Sequence, residues 1–151
     1  MVRYLIYLSA LVISLGGCAS YPDVNRDRLE SLPQHYIQFD MILSWQVRSA
    51  GAQTVVDGVL KNVRWTFMDD VEVWVAALDA SGKPTARSVS FIIPNELRRD
   101  EVAPFTVKLP VGVVPGTRLR FTYKYTGSDG GNDGPSATSW MQSFEAEVPK
   151  R

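Results

Sequence analysis

A single thiol, Cys18, and a single imidazole, His35, are the best nucleophile and the best neutral-pH base that this sequence offers. Covalent hydrolytic chemistry couples such a nucleophile to a base and an orienting acid. Cys18 closes an apolar N-terminal run, and His35 ends a polar stretch where it is expected to be solvated. The two do not make a catalytic set. Zinc held by His and Cys fails on the same count, and no glycine-rich phosphate loop opens a helix. The 16 acidic residues permit paired carboxylates. Asp69-Asp70 and Asp100-Glu101, however, read as turn and strand-entry residues. An enzyme is not expected, and no cofactor is called for.

Two stretches have the composition of binding sites. Asp129-Gly130-Gly131-Asn132-Asp133-Gly134 offers oxygen ligands from Asp129, Asn132 and Asp133, the chemistry that calcium prefers. It lacks the acidic spacing and the bidentate Glu of an EF-hand, so a flexible solvated loop over 126–138 that is indifferent to calcium is the expectation. Trp65, Phe67 and Met68 place two large aromatics and a Met between two β-patterned segments. They read either as a lid over one end of a core or as a partner-binding patch, since aromatics and Met are enriched at interface centres. In extended chain Trp65 and Phe67 point one way and Met68 the other. Trp65 is expected to be partly buried and Met68 exposed.

Position explains Cys18 better than catalysis does. Arg3 precedes an apolar run from Tyr4 to Leu15, and Gly16-Gly17 stand directly before the Cys. The run is shorter than the ~20 residues that span a bilayer, and its layout is that of a secretory signal. Leu15-Gly16-Gly17-Cys18 resembles the lipobox of bacterial lipoproteins. That resemblance implies cleavage before Cys18, a diacylglyceryl group on its sulfur, and residence in the bacterial cell envelope. Ala19 in place of Asp favours the outer membrane over the inner. The expected division is a signal peptide over 1–17, a lipidated Cys with a tether over 18–35, and a folded domain over 36–151. The tether has room for a helical turn around Val24 to Leu32, and as a flexible chain it reaches on the order of 20–25 Å.

The folded part must position the rest. From Tyr36 the period is two, with Ile37, Phe39, Met41, Leu43, Trp45 and Val47 expected on one face of a single strand. Further strands are expected over 54–62, 71–78, 85–93, 105–109 and 118–125, with the last carrying Trp140 to Val148. Val71 to Leu78 is apolar on both faces and reads as a strand covered on both sides. Leu97, inside a charged connection, reads as a plug for one end of the core. About seven strands, even turn spacing and no amphipathic helix give an all-β class, an antiparallel β-sandwich of immunoglobulin-like type. With no disulfide available, central Val and Trp side chains must fill its middle.

Asp57-Gly58-Val59-Leu60-Lys61-Asn62, Val71 to Asp79 leading into Ser81-Gly82-Lys83, and Arg98 to Val107 together resemble the FxLYD-type module of exported prokaryotic proteins. Val75, Ala77 and Leu78 stand at its naming positions. The resemblance implies the same sandwich and no activity. Sixteen basic and 16 acidic residues without a basic stripe exclude nucleic acid and electrostatic membrane binding as main roles. The combined expectation is an outer-membrane-anchored, non-catalytic binding or assembly lipoprotein. Its partners would be the membrane, through the lipid, and a protein of the envelope. The rival expectation is a small-ligand or metal-binding lipoprotein that uses the open end of the sandwich.

Overall fold

Two antiparallel sheets pack face to face in the computed structural model, which describes residues 23–128 and 137–150. After helix α1 (Val24–Ser31) come β1 (Gln34–Ile37), β2 (Met41–Ala50), β3 (Gln53–Asn62) and β4 (Phe67–Leu78). They are followed by β5 (Pro84–Phe91), β6 (Glu96–Leu97), β7 (Val102–Leu109), β8 (Arg118–Ser128) and β9 (Thr138–Glu147). One sheet runs β1-β2-β3-β7. The other runs β5-β4-β8-β9, with β6 paired to the start of β4. This is the immunoglobulin-like sandwich that the alternation predicts, with two short strands, β1 and β6, added to the seven.

The core lies where the inward positions of both sheets meet. Leu43, Trp45, Val56, Leu60, Phe105 and Val107 of the first sheet face Val73, Val75, Leu119, Phe121 and Tyr123 of the second, all buried. Trp45 fills the middle of the core, as expected without a disulfide. Its ring centroid lies 4.7 Å from that of Phe121, and Phe121 stacks on Phe144 at 5.0 Å. Tyr36 caps the row, parallel to Phe144 at 3.7 Å. Leu97 is buried as the expected plug, set by its pairing with Met68.

Three expectations need correction. Residues 36–47 form a hairpin rather than one strand. Gln38 N–H donates to Met41 O at 2.9 Å, and Ile37 pairs with Ile42. Paired residues then carry opposite parity, so inward positions pass from even numbers in β1 (Tyr36) to odd numbers in β2 (Leu43). Ile37 and Phe39, expected inside, are consequently exposed.

The helical turn around 24–32 is present as α1, but the segment is docked on the sandwich rather than a free tether. Asp23 caps α1 by accepting from Asn25 N–H and Arg26 N–H, both at 3.2 Å. Arg28 pairs with Asp57 of β3 at 2.9 Å, and Leu32 is buried. The helix itself contains no buried residue. Its docking therefore rests on polar pins that no hydrophobic period could announce.

Finally, β4 is central in its sheet, and its outer face is covered only in part: Ala76 and Leu78 are buried, whereas Glu72 and Trp74 are half-buried. Its outer face carries Trp74, whose Nε1–H donates to Glu72 at 2.8 Å and whose ring lies 4.9 Å from the Arg87 guanidinium carbon. Neighbouring side chains shield this face, so its apolar residues do not require a further element.

Candidate functional site: an aromatic and arginine end

Registers place four chain segments at one end of the sandwich. Met41 pairs with Asn62, Lys61 with Val102, Phe67 with Ser128 and Gly127 with Thr138. The β1–β2 turn, the β3–β4 connection and the β6–β7 turn all converge there. Helix α1 starts at the same end, because Arg26 Nη2 donates to Asp100 O at 3.2 Å.

Two buried polar residues organise this end. The Asn62 amide donates to Thr66 O and Leu97 O, both at 2.9 Å, and its Oδ1 accepts from Arg64 N–H at 2.8 Å. Its backbone takes Asp100 N–H at 2.8 Å and reaches Glu101 O at 3.2 Å. Asn62 thus ties the β3–β4 connection to the β6–β7 turn. Asp40 is equally buried and accepts from Tyr123 Oη at 2.7 Å and Tyr125 Oη at 3.1 Å, while its carbonyl takes Val63 N–H at 3.1 Å. Burial first, then the bond to Asp40, pushes the Tyr123 phenol well above its ordinary range. Burial likewise pushes Tyr125 up to about 12, against an opposing contribution from Arg64.

On this rigid base stand paired aromatic rings and guanidinium groups. Arg99 lies 3.6 Å from the centroid of Trp65, Arg64 5.6 Å from Phe39 and Arg98 5.8 Å from Phe67. Phe39 also meets Trp140 edge-on at 5.6 Å. Trp65 is 84% exposed. Charge at this end is largely matched: Arg98 bonds Glu96 at 2.9 Å, and Lys61 bonds Asp100 at 2.7 Å. The Lys61 hydrogen bond holds the Asp100 carboxyl below the usual carboxylate range.

The structure separates the three aromatic-stretch candidates and reverses their expected burial. Trp65 is exposed, Phe67 is half-buried, and Met68 is fully buried under Leu97. An irregularity between Asp69 and Glu72, with Asp70 at a φ of 53°, shifts the inward positions of β4 from Met68 to Val71, Val73 and Val75, so Met68 faces the core and Trp65 is left on the outer side. Met68 is a core residue and is removed from any contact surface. Cys18 lies outside the described residues, as do Asp129, Asn132 and Asp133 with most of the expected 126–138 loop. What is described of that loop is strand at both flanks, to Ser128 and from Thr138.

His35 is solvent-exposed as expected, but it lies in β1 rather than in a free tether. It pairs with Ser44, Nδ1 to Oγ at 2.9 Å, and Ser44 Oγ donates to Leu29 O at 2.7 Å. The single hydroxyl proton goes to Leu29, so Nδ1–H is the donor to Ser44. The hydroxyl is buried and its proton points away from the imidazole, which makes the pair a pin for α1 rather than a nucleophile and base. Among the described residues, no three His, Cys, Asp or Glu side chains are grouped to hold a metal, and no helix is long and apolar enough to cross a membrane. A polar hollow of about 300 Å³ beside β4 is lined by Asp70, Glu72, Asn95, Lys124 and Ser139. Its Glu72 is already engaged by Trp74 and by Lys124 at 3.5 Å.

The fold and this end define an immunoglobulin-like sandwich presenting preorganised aromatic and arginine side chains. No protein-family model matches the chain, and no curated protein sequence matches it. Among solved structures it is similar to the GAE domain of GGA2p from Saccharomyces cerevisiae, at 7% identity and a TM-score of 0.48. That match covers 78% of this chain and 97% of the other. It is also similar to a DUF4426 family protein from Pseudomonas aeruginosa PAO1, at 19% identity and a TM-score of 0.37, covering 77% and 96% respectively.

Proposed function

We propose that this chain is a lipid-anchored lipoprotein of the bacterial envelope whose sandwich is a non-catalytic binding module, with the Trp65 end as its contact surface. The observation that carries the reading is Trp65 itself. An indole 84% exposed is held in one place by a guanidinium stacked at 3.6 Å and by a loop bracketed on buried Asn62. Ordering a large side chain before contact removes an entropic cost of binding, and Trp and Arg are among the residues enriched where interface energy concentrates. The anchor is supported by the Leu15–Cys18 resemblance to a lipobox and by the position of Cys18 behind a signal-like run.

The test is photo-crosslinking in intact envelopes from a reactive residue placed at position 65, against the same residue at Val114. Val114 is 69% exposed at the opposite end of the sandwich. Adducts from 65 that are absent from 114 are the expected outcome. Equal or absent labelling at both positions defeats the assignment of the contact surface.

A further inference from the structure

We propose that the contact made by the Trp65 end is with the phospholipid bilayer itself, the indole sitting at headgroup level beside the acylated Cys18; this rests on the lipoprotein reading above. The argument begins with where the folded body starts. Asp23 lines a shallow hollow together with Pro94, Leu97, Asp100 and Val102, at the end that also carries Arg99 and Trp65. From Cys18 to Asp23 the chain reaches at most roughly 18 Å when fully extended. A lipid on Cys18 therefore holds this end, and not the opposite one, against the membrane.

The side chains there suit that position. Trp65 and Ile93 are 84% and 82% exposed, and Phe39 is 58% exposed. Trp concentrates at membrane–water boundaries because its ring is apolar while its N–H stays hydrated. Arg99, stacked on the indole, presents N–H groups suited to lipid phosphate oxygens. Acidic neighbours at Glu96 and Asp100 match the charge of Arg98 and Lys61, so insertion draws on apolar contact more than on net charge. A protein partner would not have to lie at the end from which the anchor leaves, whereas the bilayer has to. Tethering also raises the effective concentration of lipid at this surface to the millimolar range or above, so weak partitioning suffices.

The experiment uses the full, acylated protein in vesicles of phosphatidylethanolamine and phosphatidylglycerol, with lipids brominated near the carboxyl end of the acyl chain as quenchers. Wild type should lose a component of its tryptophan emission, and Trp65→Phe should abolish that loss. Mass spectrometry of the same preparation reports the acyl group. Acylated Cys18 with quenching unaffected by Trp65→Phe overturns the docking and leaves the anchor standing. An unmodified Cys18 overturns both. Crosslinks from position 65 to protein, with none to lipid, overturn the docking in favour of an envelope partner.

Discussion

Asn62 has no solvent contact, and its side chain serves three backbone groups: Thr66 O, Leu97 O and Arg64 N–H. Asn62→Ala should cost about 3 kcal/mol in a urea melt, because each group is left without a partner where water does not replace it. Asn62→Asp should cost more, since a carboxylate would face two carbonyl oxygens. A near-neutral Asn62→Ala would mean that the Trp65 loop is not held in this way. The Asp40 cluster adds a pH dependence. Below pH ~10 both tyrosines stay protonated in the folded and unfolded chains, and their contribution is complete. Above it the unfolded chain releases protons that folded Tyr125 keeps until about 12, so stability falls as pH rises across that window. Tyr125→Phe should make that fall shallower in melts taken at successive pH values. Neither Asp40 nor Asn62 stands out in the sequence. Each is one polar residue at a strand end, and only the folded chain brings the carbonyls and phenols around it. Trp65 was legible by type, but its side was not, because the irregularity between Asp69 and Glu72 shifts the parity of β4.

Among the elements, β3 shows what period and composition convey well. Gly58 inside an apolar strand signals close backbone approach, and the structure supplies the reason. A Cβ there would lie 2.6 Å from Phe105 Cζ and would also strike the Ser44 carbonyl. Gly58→Ala should destabilise by about 2–3 kcal/mol through overpacking. Phe105→Leu in the same chain should return part of that cost, a coupling that a double-mutant cycle reads directly. Additive effects would show that the two residues do not share the space. The hairpin of β1 and β2 is the opposite case. Its alternation runs through the turn without a break, so no glycine or proline marks the reversal, and the burial of Asp40 is what fixes it. The docking of α1, though not the helical turn itself, was obscured for a related reason: two arginine contacts, to Asp57 and to Asp100 O, and one serine hydroxyl attach it, with no apolar stripe.

For the whole molecule, sequence and structure bear on different questions. Alternation and turn spacing convey the two-sheet sandwich, the Trp-filled middle and the Leu97 plug, since burying one face of each sheet leaves few other arrangements. The convergence of loops distant in sequence at the Trp65 end follows only from the structure, which also starts α1 at that end. On the proposed reading that geometry takes its functional meaning from Cys18, because an anchor there would decide which end meets the membrane. The most direct test is detergent phase separation of the mature protein, with its intact mass measured in parallel. Wild type should enter the detergent phase carrying an acyl-glyceryl mass on Cys18, and Cys18→Ser should remain in the aqueous phase. Wild type found in the aqueous phase with an unmodified Cys18 would contradict the account.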